Sequence, residues 1–270
     1  MTVNLSFAEH QRPTRGIEHF YTDLHDAMCE RGSFADAPFP SAQEFKRFLA
    51  RAYPNGMSGL RCLDAGCGGT AINSRTLIDA RAGRVLAVDL NHASLQLACQ
   101  SLPRRGNGLS IACGSVLHLP FPPASFDFIV CSGVVHHTPD PAQALRELRR
   151  VARPDARLYV SAYCFEGSVM LSVVRLWRLA ARAVPFSLMH RLFRRSSVIN
   201  DFVVDHMYVP NLWVYRTADF TILLERCGFV IEETFASVLD RFHGRKLGPW
   251  SLTGDGLLRV FLCRPAAGAE

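Results

Sequence analysis

The 270-residue sequence predicts an α/β fold, in which a mostly parallel sheet carries helices on both of its faces. Two observations lead to this prediction. Through the middle of the chain, short apolar segments of strand length alternate with amphipathic segments of helical length. Small and acidic residues follow the apolar segments, which is the pattern expected where a parallel sheet binds a ligand beyond the carboxyl ends of its strands.

The first apolar segment, at 61–65, runs into a glycine-rich turn at 66–69, and a helix is expected after the turn. Such a turn lets a nucleoside cofactor approach the backbone, because no Cβ lies in the way. The next apolar segment, at 85–88, ends in Asp89. A carboxylate in that place can accept hydrogen bonds from both hydroxyls of a ribose. The turn and the acid together predict a nucleoside cofactor.

The spacing of the glycines does not fit a dinucleotide, whose binding turn needs a third glycine where this chain continues with Thr70 and Ala71. The segment instead resembles the first motif of the class I S-adenosylmethionine (SAM) dependent methyltransferases, an apolar strand followed by D-x-G-x-G-x-G. Asp64, Gly66 and Gly68 match that motif, and Thr70 stands where its last glycine is usual.

The resemblance continues along the chain. Segments 119–122 and 125–130 are similar to the family's "LPF…SFD" strand region, and 131–137 is similar to its "LHH" motif. A helix at 142–152 and a fifth strand at 157–163 are expected next. The resemblance implies a Rossmann-like sheet of seven strands with an antiparallel last strand, helices on both faces, a helical lid, SAM as the cofactor and methyltransferase activity.

It also implies a set of cofactor contacts from the turn, the strand ends and an N-terminal arm. The residues expected to contact SAM are Tyr21, Asp64, Gly66, Cys67, Gly68, Asp89, Leu90, Ser115, Val116, Ser132 and His137. Ser115 stands where many members carry an acid that binds adenine, and a hydroxyl can accept the same hydrogen bond. Tyr21 is expected to cover the sulfonium, because an aromatic face stabilises a cation, or else to pack on the core.

Two groups of residues are candidates for a general base. His136 follows the fourth predicted strand, at the mouth of the expected site, and an imidazole with a pKa of about 6.5 suits proton transfer near neutrality. Asp205 beside His206 is the second candidate, on the lid side. The alternative is that these residues are structural. An oxygen acceptor would need a base, a nitrogen acceptor would need only to be neutral, and a carbon acceptor would have to be enol-like.

Four regions are predicted: an N-terminal helical arm (1–58), a SAM-binding core (59–163), a helical lid (164–216), and a final helix with an edge hairpin (217–270). In the lid, Arg175, Arg178 and Arg182 lie at the spacing of one helix face within a helix expected at 168–184. That pattern suits a lid over an apolar pocket with its arginines in water, or a helix on an anionic membrane. We favour the lid over peripheral membrane contact.

Composition narrows the function further. The net charge is +6, but the arginines are dispersed and not clustered with aromatic residues, so no nucleic-acid partner is expected. The nine cysteines include no C-x-x-C pair, so no metal site is expected. No apolar run is long enough to span a bilayer, and the first residues do not resemble a secretory signal, so we expect a cytoplasmic protein.

The acceptor is predicted to be a small organic molecule. Residues 131–134 read Cys-Ser-Gly-Val, which differs from the D/N-P-P-Y motif of amino-methylating enzymes, and no Pro-Cys dipeptide is present. Trp177, Tyr208 and Trp213 favour an apolar or aromatic acceptor. The sequence leaves open the acceptor atom, the oligomeric state, and two other functions: non-methyl chemistry on the sulfonium (cyclisation or aminocarboxypropyl transfer) and SAM binding without turnover.

Overall fold

The computed structural model describes residues 2–6, 40–102, 108–164, 168–193, 207–236 and 258–267. The strands in these ranges are β1 (Val3–Asn4), β2 (Arg61–Ala65), β3 (Arg84–Asp89), β4 (Leu109–Cys113), β5 (Phe126–Ser132), β6 (Ala152–Tyr163), β7 (Trp213–Val214), β8 (Phe229–Ala236) and β9 (Leu258–Pro265). The α-helices are α1 (Pro40–Ala52), α2 (Ile72–Asp79), α3 (His92–Ser101), α4 (Pro141–Val151), α5 (Ser168–Ala181), α6 (Phe186–Phe193) and α7 (Thr217–Arg226), and a 3-10 turn spans Val135–His137.

Seven strands form one sheet in the order β4-β3-β2-β5-β6-β9-β8. The first five strands of that order are parallel, and β9 runs antiparallel to both of its neighbours. This confirms the predicted sheet with its antiparallel last strand. The strand order reverses between β2 and β5, which opens a crevice at their carboxyl ends. Open α/β sheets bind their ligands at such a point.

Alternate residues of the central strands build two cores on opposite faces of the sheet. Leu63 of β2 and Ile129 of β5 pack in the same cluster as residues of α4 and α7. Their chain neighbours Cys62 and Phe128 pack with residues of α1 and α2. The predicted helices on both faces are therefore confirmed.

Two helices that follow strands begin at side-chain caps. Asp140 accepts a hydrogen bond from the Gln143 N–H at 2.9 Å, and Pro141 takes the first position of α4. Asn91 accepts a hydrogen bond from the Ser94 N–H at 3.0 Å at the start of α3. The Asn91 cap comes two residues after the end of β3, and the Asp140 cap follows β5 after the 3-10 turn.

The helix expected at 168–184 is present as α5, which ends at Ala181, three residues earlier than predicted. A second helix that was not predicted, α6, begins after Pro185, because proline has no N–H to donate and cannot continue α5. Both helices pack on a cluster that includes Val174, Ala181 and Tyr208. Among the described residues, no helix is both long and apolar enough to cross a membrane.

Arg178 of α5 is buried, which corrects the expectation that all three arginines of this helix lie in water. Its guanidinium donates to the carbonyl oxygens of Leu5, at 2.7 Å, and Val209, at 2.9 Å. Strand β1 in turn pairs antiparallel with β7, with Val3 opposite Val214. Arg178 therefore joins α5 to residues near the start of the chain and to the segment that leads into β7.

Candidate functional site

The glycine turn after β2 is built around a close approach of β5. The Gly66 N–H donates to the Val88 carbonyl at 2.7 Å, and Gly66 has a φ of +85°. A Cβ on Gly66 would lie 2.3 Å from a methyl carbon of Val134, so no larger residue fits. Gly68 also has a positive φ, of +61°, but a Cβ there would meet no atom within 4 Å. The turn is thus packed at Gly66 and open at Gly68.

Asp89 lies beside that open space, at the end of β3. One carboxylate oxygen accepts a hydrogen bond from the Gly68 N–H at 2.8 Å, and the other accepts one from the Asn91 N–H at 2.9 Å. A carboxylate has about four acceptor positions, so further donors can be bound. Two predicted cofactor residues, Gly68 and Asp89, are therefore in direct contact, and the exposed Leu90 follows them.

Asp64 is completely buried under the turn. Its Oδ2 accepts from the N–H of Ser74 at 2.9 Å and from the Ser74 hydroxyl at 2.6 Å. The Asp64 side chain thus reaches from β2 to the N-terminus of α2, where the helix dipole stabilises a carboxylate. Burial is the main reason that the pKa of Asp64 is raised to about 6. Asp64 therefore joins β2 to the start of α2, and its buried Oδ1 makes no hydrogen bond.

Cys67 lies inside the same turn and is buried. Burial raises the pKa of its thiol, which therefore stays neutral. A neutral, enclosed thiol acts as a small apolar side chain and not as a nucleophile.

The expected adenine side of the site lies at the end of β4, which neighbours β3. The Gly114 N–H donates to the Asp89 carbonyl at 3.0 Å, which connects the ends of the two strands. The Ser115 hydroxyl oxygen accepts from the Leu117 N–H at 3.2 Å and so closes a local turn, and Val116 is buried. Ser115 therefore has part of its hydrogen-bonding capacity occupied within the protein.

On the other side of the crevice, Ser132 ends β5. Its hydroxyl lies 3.0 Å from that of Ser161 on β6, and Ser161 also accepts from the Gly133 N–H at 2.9 Å. Ser161 is buried and was not predicted. Only the register of β5 against β6, which sets Ser132 opposite Ser161, reveals this contact.

The two histidines after β5 form a compact cluster with Tyr163, the last residue of β6. The ring centroids of His136 and His137 lie 4.2 Å apart, and those of His136 and Tyr163 lie 4.1 Å apart. His136 is completely buried, and His137 Nδ1 lies 3.1 Å from the Asn211 carbonyl oxygen. The His136 ring is thus covered by Tyr163 and not open to the crevice, and Tyr163 is a residue that the sequence analysis missed.

Aromatic residues of the lid pack inside it. Tyr208 is fully buried and donates its hydroxyl to the Val184 carbonyl at 2.9 Å, and burial raises its pKa to about 12. The use of Tyr208 as evidence for an aromatic acceptor is therefore wrong, because both its ring and its hydroxyl are engaged within the lid. The Trp213 indole donates to the Thr138 carbonyl at 3.0 Å and connects β7 to the segment after the histidines.

Three predicted site residues, Tyr21, Asp205 and His206, lie outside the described ranges.

A charged pair on α4 holds the "LPF" segment in place. Glu147 accepts from the Leu119 N–H at 2.8 Å, and Arg150 donates to the carbonyls of Leu119 and Phe121 at 3.0 and 2.7 Å. The hydrogen bond from Arg150 is the main reason that the pKa of Glu147 is lowered. The E-x-x-R spacing on a helix was the available signal for this pair, but it does not reveal its backbone partners.

Comparison with known proteins identifies the core. Residues 63–160 match the family model described as a methyltransferase domain. This segment of the chain is a methyltransferase domain. The cofactor of that family is SAM. In this chain the Asp89 carboxylate lies beside the open space at Gly68.

Relatives of the methyltransferase domain cover only part of the chain. A ubiquinone biosynthesis O-methyltransferase of Pseudoalteromonas translucida is 29% identical over 158 residues, which is 57% of this chain and 64% of that protein. An uncharacterized 37.1 kDa protein in a transposon of Streptomyces fradiae is 32% identical over 141 residues, 50% of this chain and 39% of that protein. The chain thus spans less than two thirds of these relatives' length.

Solved structures share the fold over most of the chain. Magnesium protoporphyrin IX methyltransferase from Synechocystis, with bound S-adenosylhomocysteine, aligns with a TM-score of 0.60 at 17% identity, over 93% of this chain and 98% of that one. The [4+2]-cyclase SpnF aligns with a TM-score of 0.60 at 15% identity, over 94% and 97%. These similarities confirm the fold of the methyltransferase domain.

Proposed function

We propose that this protein transfers a methyl group from SAM to a small organic acceptor. The observation that carries the proposal is the Asp89 carboxylate, which two backbone N–H groups hold at the end of β3 beside the open space at Gly68. In this position it can accept hydrogen bonds from a ribose without first having to be ordered.

The chain's own residues would hold the cofactor along the carboxyl ends of four neighbouring strands. Asp89 would bind the ribose, Ser115 and the backbone of Val116 the adenine, and the turn at Gly66 and Gly68 the remaining polar groups. The buried Asp64 supports this turn from below through Ser74. When bound, SAM supplies an electrophilic methyl group, and the protein's task is to align an acceptor with it and to exclude water.

The acceptor would enter from the side of β5 and β6. Partly buried Tyr163 and Trp213 give that side an apolar character, which suits an aromatic or other apolar acceptor. The relatives named as ubiquinone biosynthesis O-methyltransferases support a small organic acceptor.

His136 remains our proposed base for an oxygen acceptor, with Asp205 and His206 as the alternative. Since His136 is buried beneath Tyr163, that role requires Tyr163 to move when the acceptor binds. A nitrogen acceptor would need no base, and Tyr163 could then stay in place.

The test is calorimetric titration of the protein with SAM and with NAD, followed by mass analysis of the cofactor product after incubation with a panel of phenolic and heterocyclic acceptors. We expect SAM to bind, NAD not to bind, and S-adenosylhomocysteine to form. Methylthioadenosine as the product would contradict methyl transfer and support aminocarboxypropyl chemistry. Absence of SAM binding would overturn the proposal.

A further inference from the structure

Basic residues occur along the whole chain, but one segment holds them without any acidic residue between them. Residues 167–200 contain no aspartate or glutamate. Their basic residues are Arg175, Arg178, Arg182, Arg191, Arg194 and Arg195. This one segment has a formal charge of +6, equal to the net charge of the whole chain, so the remaining residues sum to neutrality.

The helices of this segment also expose apolar side chains. Leu176 and Leu179 of α5 are 66% and 58% exposed, and Leu188 and Leu192 of α6 are 44% and 64% exposed. Within the described residues, these four make up more than half of the exposed large apolar side chains. The opposite sides of α5 and α6 pack on the lid core, so both helices are amphipathic with leucine on the outer side.

The exposed leucines and arginines are neighbours on each helix. Leu179 lies four residues after Arg175 and three before Arg182, and all three side chains are exposed. On α6, Leu188 lies three residues before Arg191 and four before Leu192, and all three side chains are exposed. Arg178 alone among the described arginines of these helices is buried, and it holds α5 to the chain through Leu5 and Val209.

We propose that the outer side of α5 and α6 binds the surface of an anionic lipid bilayer. Leucines that enter the boundary between headgroups and acyl chains, flanked by arginines that bind lipid phosphates, are the features of a helix that lies in a membrane interface. A second copy of this chain is a poorer partner, because it would place two +6 segments against each other. This proposal goes beyond methyl transfer and does not depend on it.

The experiment is co-sedimentation of the full chain with phosphatidylcholine vesicles, with and without phosphatidylglycerol, in the absence of SAM. We expect the protein to sediment with the anionic vesicles and to be released as salt rises, because salt screens the attraction. Equal sedimentation with both vesicle types, or with neither, would overturn the proposal.

Matched variants separate the surface from general charge attraction. Arg175→Glu/Arg182→Glu and Leu176→Ser/Leu179→Ser should each lower the partition onto anionic vesicles by about tenfold or more. The exposed controls should leave the partition unchanged. They are Arg84→Glu/Arg226→Glu, with the same change in charge, and Ile222→Ser, which removes an exposed apolar side chain elsewhere. If a control variant lost as much binding to anionic vesicles as the variants of α5, the proposal would be contradicted.

Two further measurements show why a variant fails to bind vesicles. Each variant is titrated with SAM, and unchanged affinity shows that the methyltransferase domain is folded whatever its vesicle binding. Light scattering during gel filtration reports the oligomeric state. A dimer that Leu176→Ser/Leu179→Ser converts to a monomer, without vesicle binding by either protein, would show that a second copy covers the leucines and would overturn the proposal.

Discussion

At the scale of single residues, the crevice depends on Asp89, whose carboxylate joins two backbone N–H groups. We predict that Asp89→Ala weakens SAM binding by about 1–3 kcal/mol, because charge-assisted hydrogen bonds to the ribose are lost. Calorimetric titration measures the change. Asp79→Ala, which removes an exposed carboxylate at the end of α2, is the matched control and should bind SAM normally. Unchanged affinity in Asp89→Ala would mean that the ribose binds elsewhere.

Gly66 is required by the packing of Val134. We predict that Gly66→Ala lowers the free energy of unfolding by about 2–4 kcal/mol, from overpacking together with a positive φ. Urea unfolding measures this effect. The double variant Gly66→Ala/Val134→Ala removes the methyl groups that the new Cβ meets, so it should be more stable than Gly66→Ala alone. A double variant that is less stable would show that Val134 does not cause the effect.

Asp64 makes stability depend on pH. Since burial raises its pKa to about 6, the neutral form is favoured in the folded protein. Its contribution to stability is present below about pH 4 and is lost as the pH rises through about 6. Asp64→Asn cannot ionise. As the pH rises from about 4 to about 6, the free energy of unfolding of the wild type should therefore fall relative to that of Asp64→Asn, by on the order of 3 kcal/mol.

Asp127 is a control for the pH dependence of Asp64, because its pKa is lowered and not raised. Burial alone would raise its pKa, but hydrogen bonds from the Arg61 N–H and the Arg153 side chain lower it. Asp127→Asn should therefore lose stability relative to the wild type as the pH rises through the acid range. If both variants changed in the same direction, the account of Asp64 would be wrong.

At the scale of elements, α5 is joined to distant segments by Arg178. We predict that Arg178→Ala lowers the free energy of unfolding by about 2–4 kcal/mol, because the carbonyls of Leu5 and Val209 lose their donor inside the lid. Arg175→Ala and Arg182→Ala, on the exposed side of the same helix, should change it by less than about 0.5 kcal/mol.

Hydrogen exchange gives the second measurement for Arg178. The Leu5 N–H donates to the Leu212 carbonyl at 2.7 Å, next to the pairing of β1 with β7. In Arg178→Ala this amide should exchange faster, while amides of β2 and β5 keep their protection. Equal loss of protection in all these strands would indicate that the variant unfolds globally and not at the lid.

The burial of Arg178 could not be predicted from the sequence. Helical spacing placed Arg175, Arg178 and Arg182 together, and spacing alone treats them as equivalent. The partners that bury Arg178 come from residues 5 and 209, far away in the chain, so only the tertiary structure distinguishes it. The end of the first lid helix before Pro185 was predicted from the sequence, whereas the helix α6 that follows Pro185 was not.

At the scale of the whole molecule, the parallel part of the sheet was the most predictable feature. Strands β2, β3 and β5 are largely buried on both faces, so each is rich in apolar residues and can be recognised without knowledge of its neighbours. The glycine turn at Gly66 and the position of Asp89 at the end of a strand were also predictable, because each depends only on the residues next to it in the chain. Contacts between strands, such as Ser132 with Ser161 and His136 with Tyr163, could not be found, because they depend on the register of β5 against β6.

The position of β9 has a consequence for synthesis on the ribosome. In the described sheet, β8 is hydrogen-bonded to β9 and not to β6, although β8 is made first. A nascent chain that ends before β9 therefore leaves β6 with an open edge, at which Leu158, Tyr159 and Val160 lack their partners from β9, and leaves β8 without its neighbour. Open edges of that kind associate with other chains. The interval between synthesis of β8 and synthesis of β9 should thus be the stage at which the nascent chain most needs a chaperone.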